Sequence, residues 1–539
     1  MLQTWLERFG DANPQLFREL KGRLRRRNLI AAISGSLLVQ LLVLLYFWGQ
    51  LPVDMGRDRI ANNYYCLSGS FIHNGKSMYG CLRDNAGELM ILWDKWWLHI
   101  CHALSTIALG GLLVGVIFML VGNLANEQRR GTLNFIRLSP QTAKTIFLGK
   151  IFGVPSLVYL AVAVAVPLQL WSSLQGGYLL SDALLFYVVA GVSSFMFASF
   201  AVLYALLGGQ QAWLGGILGA LLVYPYMVLV FVSFDNKISR IDDGIWWHYP
   251  IAKLPIYTQL FVLASCLLLI YWMWAVLERR YHKPSATLLS KGQSYALNLC
   301  LHLYVLGFAV SLPNTPHLHD MTFFAGVSLV VVLLLTAAVA PQRQTLQDWA
   351  RYRHFSRNSD RQQHYSLIRD LLWGEKSPAL LAMLVNVAIA MGSWSGWVLF
   401  WERDRISALV GLVIVANLLL LYSSLAQWIL WTKHRKRQIW AAAAVAASIG
   451  VPPLIWEIFD IAKYDVSGSG TDLPSLLWKI SVFGASLSNS YQLSLWYFGL
   501  GCLMQVAVIA TMAAQFSRQL KRVGQSELKQ LVSGEEMMG

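Results

Sequence analysis

Few side chains in this chain could do metal or acid–base chemistry. His99 and His102 lie three residues apart and so share one face of a helix, with Cys101 between them. Imidazoles are common metal ligands, so the pair could hold a metal or a heme. Histidines at a membrane surface, however, also simply meet water and lipid headgroups. We predict no metal site and no catalytic residue.

The acidic residues offer two adjacent or near-adjacent pairs that an enzyme could use. These are Asp242 with Asp243 and Glu402 with Asp404, and each pair has basic residues beside it. Carboxylates flanked in this way are typical of solvated loops. A membrane-embedded enzyme, such as a lipid-linked transferase, is therefore a less favoured alternative.

Two short strings resemble nucleotide-binding motifs without meeting their requirements. The segment from Gly69 to Ser77 has five residues between Gly69 and Gly75, where a phosphate-binding loop needs four. Leu289 to Gln293 resembles a transporter ATPase signature, but it is an isolated pentapeptide in a short loop. We predict that this chain has no nucleotide site and no cofactor of its own.

The composition defines the broad class. Of the 539 residues, 56% are hydrophobic and only 13% are charged, whereas soluble domains carry about a quarter charged residues. Long uncharged runs have the length of about 20 residues that crosses a bilayer. We predict an all-α polytopic membrane protein with about twelve transmembrane helices, at 29–49, 100–124, 151–171, 183–208, 212–234, 256–277, 296–312, 321–340, 379–401, 407–431, 439–456 and 493–515.

Charge predicts the orientation of these spans. The net charge is +15, and most of the 43 Lys and Arg residues fall on one side of the twelve-span arrangement if both termini are cytoplasmic. Cytoplasmic loops carry an excess of Lys and Arg, so this arrangement is favoured. The basic residues then indicate contact with anionic lipid headgroups, not with nucleic acid. We expect a bacterial-type plasma (inner) membrane.

Cysteine pairing depends on this orientation. Cys66 and Cys81 lie in the first external loop, where an oxidising compartment would permit a disulfide worth about 3 kcal/mol. The sequence leaves open whether they are bridged. The remaining cysteines are expected to be small buried apolar residues, and they are Cys101, Cys266, Cys300 and Cys502.

Two amphipathic segments precede transmembrane spans. The segment 13–27 places four apolar residues on one side of a helix and basic residues around the other, so it is expected to lie flat at the interface. The pentapeptide Leu367 to Leu371 resembles Leu16 to Leu20 and also stands shortly before a span. This similarity indicates either an internal repeat or a chance match. The apolar residues of the first segment are Leu16, Phe17, Leu20 and Leu24.

The stretch 126–140 follows the second span and is the most informative part of the sequence. Gly131 can end the helix that leaves the membrane, and Ser139 with Pro140 is expected to begin the next helix as its N-cap and first residue. Leu133, Phe135, Ile136 and Leu138 give a short cytoplasmic element more apolar surface than water tolerates. This element either docks on a partner or packs beneath the protein's own helices.

This stretch resembles the Glu-x-x-x-Gly-Thr-Leu and Leu-Ser-Pro pattern that follows the second span of type-2 ATP-binding-cassette (ABC) permeases. The resemblance covers residues 1–277, about half of the chain, and implies a six-helix ABC permease core with an elbow helix at 13–27. It also implies a separate ABC ATPase subunit, which binds ATP and Mg²⁺. The residues expected to couple to it are Glu127, Arg130, Gly131, Thr132, Leu133, Phe135, Ile136, Leu138, Ser139 and Pro140.

The second half of the chain departs from that pattern. We expect 278–378 to hold a cytoplasmic linker, a two-span hairpin and a second elbow-like helix, and 379–539 a further four-span domain with a cytoplasmic tail. The loop 433–438 is short and polar, so the second half is not expected to couple to an ATPase. A second copy of this chain or a second permease could complete the transporter.

The favoured function is therefore the membrane subunit of an ATP-driven exporter without enzyme activity of its own. The alternative is an ion-coupled secondary transporter or a polytopic enzyme. Ion-coupled transporters usually hold carboxylates inside their spans. In this chain Asp182, Asp235, Asp320 and Glu457 all stand at span ends. Possible pathway groups, which could equally be interhelical hydrogen-bond partners, are Gln40, Asn123, Asn386, Gln427 and Gln505.

Overall fold

The fold was analysed in a computed structural model, which is overwhelmingly helical. The described residues are 13–52, 63–73, 76–84, 88–137, 139–208, 211–234, 245–251, 253–283, 285–311, 318–356, 364–402, 405–434, 436–462 and 495–536. Two compact units are present, one formed by 1–244 with 251–282 and the other by 245–250 with 283–539. Residues 283–378 and 379–539 thus belong to one compact unit. From the sequence we expected two separate regions, 278–378 and 379–539.

The first unit contains nine helices and one β-hairpin among its described residues. They are α1 (Pro14–Arg23), α2 (Arg26–Trp48), β1 (Ser68–His73), β2 (Lys76–Cys81), α3 (Trp93–Arg129), α4 (Thr132–Arg137), α5 (Ala143–Gly153), α6 (Ser156–Gln175), α7 (Leu180–Leu206), α8 (Ala212–Phe234) and α9 (Pro255–His282).

The long helix α3 lies at the centre of this unit. It packs against α6, α7 and α8, and leucine, isoleucine and valine side chains along its length are fully enclosed. Leu113, Leu120 and Leu124 have no exposed surface. Buried apolar side chains at helical spacing therefore hold α3 in the middle of its neighbours.

The second unit contains eight helices and a short hairpin among its described residues. They are β3 (Ile245–Trp246), β4 (Tyr249–Pro250), α10 (Lys291–Ala309), α11 (Leu318–Val339), α12 (Arg343–Ser356), α13 (His364–Trp373), α14 (Leu380–Val398), α15 (Arg405–Trp431), α16 (Arg437–Ala462) and α17 (Leu495–Glu536). Here α15 is the central helix and packs against α11, α14, α16 and α17.

The apolar runs predicted as spans are helical. A helix occupies the described part of each of the twelve expected spans. Eight helices of the described residues are long and apolar enough to cross a membrane, and nine if the bent pair Phe323–Val339 and Arg343–Tyr352 forms one span. The chain is therefore a multi-pass membrane protein, and the count of twelve stays a prediction.

The loop between α2 and α3 contains strands that the sequence did not predict. β1 and β2 pair in antiparallel register from Ser68 opposite Cys81 to His73 opposite Lys76. Cys66 and Cys81 are joined by a disulfide, and Cys66 forms an isolated bridge with Ile91. The disulfide thus closes the base of the hairpin, and the bridge from Cys66 to Ile91 joins that base to the segment that enters α3.

Candidate functional site

Most of the sequence-predicted residues meet at the C-terminal end of α3. α3 ends at Arg129, and Gly131 follows with a φ of 71°, a conformation that glycine adopts without steric cost. The glycine turns the chain into the six-residue helix α4. The prediction that Gly131 ends the second span is confirmed.

The side chains of α4 divide between the interior and the surface. Leu133 and Ile136 are buried in the core of the first unit, and the Tyr281 hydroxyl of α9 donates to the Ile136 carbonyl at 3.3 Å. Phe135 points away and is 78% exposed. The prediction that all four apolar residues of this element form a docking surface is therefore wrong for Leu133 and Ile136, because helical spacing puts them on the inner face. Leu138 lies outside the described residues.

The helix after α4 begins later than the sequence indicated. Ser139 donates its hydroxyl back to the Ile136 carbonyl at 2.7 Å, so it closes α4 instead of capping α5. Thr142 is the N-cap of α5, and its Oγ1 accepts from the Thr145 amide. The expected N-cap at Ser139 and helix start at Pro140 are wrong, since threonine serves the same role three residues on.

Glu127, which was predicted to couple to the ATPase, is mostly buried and pairs with cations of this chain. Both of its carboxylate oxygens lie 2.6 Å from the Lys150 ammonium of α5, and Arg18 of α1 reaches it at 3.2 Å. Lys150 has no exposed surface and also lies 3.3 Å from Asn123 Oδ1 and 3.8 Å from Glu19 Oε1. We call these five residues the ion cluster. It joins three helices, α1, α3 and α5.

Charge pairing makes this burial possible. Burial lowers the pKa of Lys150, while the charge and hydrogen bonds of Glu127, and the charge of Glu19, act in the opposite sense. A buried charge that lost its partners would be strongly destabilising. The cluster therefore locks α1 against the end of α3.

α1 presents a polar face to the protein, which the amphipathic pattern did not predict. Gln15 and Glu19 are its buried residues, whereas Leu16, Phe17 and Leu20 are only half-buried and Leu24 is exposed. The apolar side of α1 is therefore only partly covered by protein, as expected of a helix lying at a membrane interface. An amphipathic helix is thus present in the predicted segment 13–27, from Pro14 to Arg23, but its buried side chains are the polar Gln15 and Glu19.

Two glycines allow α1 to lie close to α5. A Cβ atom at Gly149 would come within 2.8 Å of both the Asn13 side-chain oxygen and the Leu16 backbone nitrogen. A Cβ atom at Gly153 would lie 2.6 Å from the Glu19 Cβ. Small residues four apart are a known means of close helix packing. The side chain of Asn13 caps α1 and donates to the Thr145 carbonyl at 2.8 Å, which fixes the register.

Sequence reasoning missed Lys150, Glu19 and the two glycines as parts of this site. A lysine next to a transmembrane run, with glycines on either side at positions 149 and 153, was the available signal. Asn13 followed by Pro14 was a second one, because asparagine caps and proline starts helices.

The two histidines considered as metal ligands each lie within hydrogen-bonding distance of a tyrosine hydroxyl. His99 Nδ1 lies 2.7 Å from the Tyr65 hydroxyl, and His102 Nε2 lies 3.0 Å from the Tyr178 hydroxyl. The two histidines thus contact different residues, and among the described residues no group of three or more His, Cys, Asp or Glu side chains could hold a metal ion. Asp242, Asp243 and Asp404 lie outside the described residues.

The polar residues expected inside spans mostly hold helices together. Gln40 donates to the Ser36 hydroxyl and to the Val164 carbonyl of α6, and Asn386 donates to the Ser294 hydroxyl of α10. Gln427 Nε2 and Gln505 Oε1 are buried without a hydrogen-bond partner among the described residues.

Comparisons of the chain with protein-family models, curated proteins and solved structures gave no match.

Proposed function

We propose that this protein is the membrane-embedded permease subunit of an ATP-driven transporter, with α4 as the element on which a separate ATPase subunit docks. The proposal includes export as the direction of transport and a bacterial-type plasma (inner) membrane with both termini cytoplasmic. ATP and Mg²⁺ would be bound by the partner subunit. The resemblance of residues 126–140 to ABC permeases is its sequence basis.

The observation that carries the proposal is the exposed Phe135 on a helix that cannot move freely. Leu133, Ile136 and the hydrogen bond from Tyr281 fasten α4 to the first unit, while Phe135 stands 78% exposed. A large aromatic side chain held rigidly at the surface is typical of an interface anchor, because little conformational entropy is lost on binding. Arg130, Gly131 and Thr132 are exposed beside it.

The ion cluster supports the same proposal by connecting α4 to the spans. Glu127 stands in the last turn of α3, and the Thr132 hydroxyl of α4 donates to its carbonyl at 3.2 Å. A force applied to α4 would therefore reach α3 directly and α1 and α5 through Lys150. This is the mechanical link that a coupling element requires.

The test compares Phe135→Asp with Tyr352→Asp in full-length protein purified from native membranes. Tyr352 of α12 is a matched control, since it is 76% exposed and lies in a stretch expected to be cytoplasmic. Burying an aspartate in a docking site costs several kcal/mol, so co-purifying vanadate-sensitive ATPase activity should fall at least about tenfold in Phe135→Asp.

Tyr352→Asp should retain the wild-type activity, and both variants should insert in normal amount because both side chains are exposed. Arg437→Ala in the short polar loop 433–438 is a second control with the same expectation. Undiminished ATPase activity in Phe135→Asp, or wild-type protein that carries no ATPase activity, would refute the coupling role of α4.

A further inference from the structure

A cavity of about 170 Å³ lies in the first unit between α3, α6 and α7. It is at the opposite end of α3 from α4, because about 33 Å of helix separates Ser105 in its wall from Glu127, at 1.5 Å per residue. The cavity is far larger than the space that one water molecule needs. It is therefore large enough for a small organic molecule.

A carboxamide and two hydroxyls form the inner wall. Gln169 is buried and donates from Nε2 to the Ser105 hydroxyl at 2.6 Å, and the Tyr187 hydroxyl donates to Gln169 Oε1 at 3.1 Å. A carboxamide has two donor hydrogens and two acceptor lone pairs, so these bonds leave one of each available to a ligand. The wall is preorganised, because Gln169 is held from both sides.

The charged residue in the wall of the cavity is an aspartate. Asp182 is the only Asp, Glu, Lys or Arg among the described residues that line the cavity, and it forms no ion pair with a described residue. His102 also lines the cavity, and its Nε2 lies 3.0 Å from the Tyr178 hydroxyl. No lysine or arginine among the described lining residues therefore balances the carboxylate.

Aromatic rings complete the wall. Tyr178, Phe186, Tyr187 and Phe231 all line the cavity. The face of an aromatic ring attracts a cation, and the attraction is larger where water is excluded. One carboxylate together with several aromatic rings is a combination that recognises an ammonium group.

We propose that this cavity binds a small organic cation, a primary to quaternary amine whose ammonium group pairs with Asp182 and contacts the aromatic rings. A hydroxyl or amide on the same molecule would bond to Gln169. The inference deepens the proposed transport function by naming a solute class, and as a transport site it rests on that function. The binding itself needs no ATPase and is tested without one.

The test measures equilibrium binding of radiolabelled choline to the purified full-length chain in lipid nanodiscs. The neutral competitor is 3,3-dimethyl-1-butanol, which has the shape of choline but a carbon in place of the nitrogen. We expect saturable choline binding that the alcohol displaces only at about tenfold higher concentration or more. Equal competition by the neutral alcohol, or no saturable choline binding, would overturn the assignment.

Asp182→Asn should weaken choline binding about tenfold or more, because it removes the only fixed charge of the wall. Asp94→Asn is the matched control: Asp94 also lies in the first turn of a helix, α3, but is exposed and outside the cavity. It should change the affinity by no more than about twofold. Unchanged affinity in Asp182→Asn would reject the ligand class.

The location is checked by the rate at which methyl methanethiosulfonate modifies Cys101, which lines the cavity. Choline should slow modification of Cys101 and leave Cys266, a buried thiol of the same unit outside the cavity, unchanged. Equal effects on both thiols would place choline elsewhere. If choline does not bind but the ATPase still co-purifies and depends on Phe135, only this inference is rejected. If Phe135→Asp does not reduce the ATPase activity but choline binds, only the coupling role of α4 is rejected.

Discussion

Each unit of the protein holds an amphipathic helix against a buried lysine, but the two lysines are held differently. In the first unit, α1 lies on α5 and Lys150 meets the carboxylates of Glu127 and Glu19. In the second unit, α13 lies near the start of α10, where Lys291 donates to the Leu371 carbonyl, the Ser377 hydroxyl and the Pro378 carbonyl at 2.7 to 3.0 Å.

The difference concerns charge, not the number of hydrogen bonds. No described carboxylate lies within ion-pair distance of Lys291, and Asp370 Oδ2 of α13 instead accepts from Trp349 Nε1 at 2.5 Å. Burial lowers the pKa of Lys291 to about 8, and the Asp370 charge opposes this only in part. Lys150 thus belongs to an ion cluster, while Lys291 is a buried cation among neutral oxygens.

The comparison shows that a shared local pattern can support two kinds of helix attachment. Both amphipathic helices contain the Leu-x-Arg-acid-Leu pattern, and both lie against a glycine next to the lysine, Gly149 in α5 and Gly292 in α10. The two attachments differ in whether a carboxylate from a third helix reaches the lysine. α3 supplies Glu127 in the first unit.

The largest expected effect comes from removing each lysine in turn. Lys150→Met removes the one fully buried cation of the cluster and leaves Glu127 and Glu19 only the more exposed Arg18 and Arg23, which should cost about 3–5 kcal/mol. Lys291→Met leaves only neutral acceptors unsatisfied and should cost about 1–3 kcal/mol. Thermal unfolding of the two variants in the same detergent measures the difference.

The matched control for Lys150→Met is the double variant with Glu127→Gln. It should regain part of the lost stability, because the uncompensated charge of Glu127 is removed with the lysine. Equal destabilisation by the two single lysine variants would show that the carboxylates do not distinguish the sites.

A smaller effect is expected in the dependence of stability on pH. The pKa of Lys291 is about 8 in the folded protein and about 10.4 in the unfolded chain, so between these values the unfolded chain binds more protons. Stability contributed by this group should therefore rise as pH increases from about 8 to 10.4, by no more than about 3 kcal/mol. The free energy of unfolding is measured for the wild-type protein and for Lys291→Met at each pH. The difference between the two isolates the contribution of Lys291. A difference that stays flat or falls over this window would contradict it.

The smallest effect is expected from adding one methyl group beneath each amphipathic helix. The new Cβ of Gly149→Ala would lie 2.8 Å from the Leu16 backbone nitrogen. Backbone cannot move aside as a side chain can, so the substitution should lower the free energy of unfolding by about 1–3 kcal/mol. Gly292→Ala meets the edge of the Trp373 ring at 2.7 Å, which can shift, and should cost less. Limited proteolysis near Arg23 and near Trp373 reports the loosening of α1 and α13. Greater loosening of α13 would reverse the ranking.

Many elements of the fold could be predicted from the sequence. Apolar runs of bilayer length predicted helices at all twelve expected positions, because the backbone polar groups of a chain in lipid must be bonded within the helix. The turn at Gly131 and the amphipathic helix α1 were also predictable from local preferences. The β-hairpin β1–β2 was not, since its pairing depends on contacts that no short-range pattern specifies.

The candidate site was only partly predictable. The sequence identified 126–140, but grouped Leu133 and Ile136 with Phe135 although they face the interior. The resemblance to ABC permeases placed Glu127 among the docking residues, and the sequence does not show which neighbours a carboxylate meets. Lys150 and Glu19 are separated by more than a hundred residues, so their contact exists only in the folded protein.

The sequence by itself determined that this protein crosses a membrane many times, since composition and the length of apolar runs suffice for that conclusion. It also predicted an amphipathic segment shortly before a span in each half, which follows from helical spacing alone. Only the tertiary structure decided which face of α1 is buried, which residue of α4 is exposed and which lysine is paired with carboxylates. The physical reason is that burial and charge pairing depend on side chains brought together from distant helices, whereas helix formation in lipid depends on each segment alone.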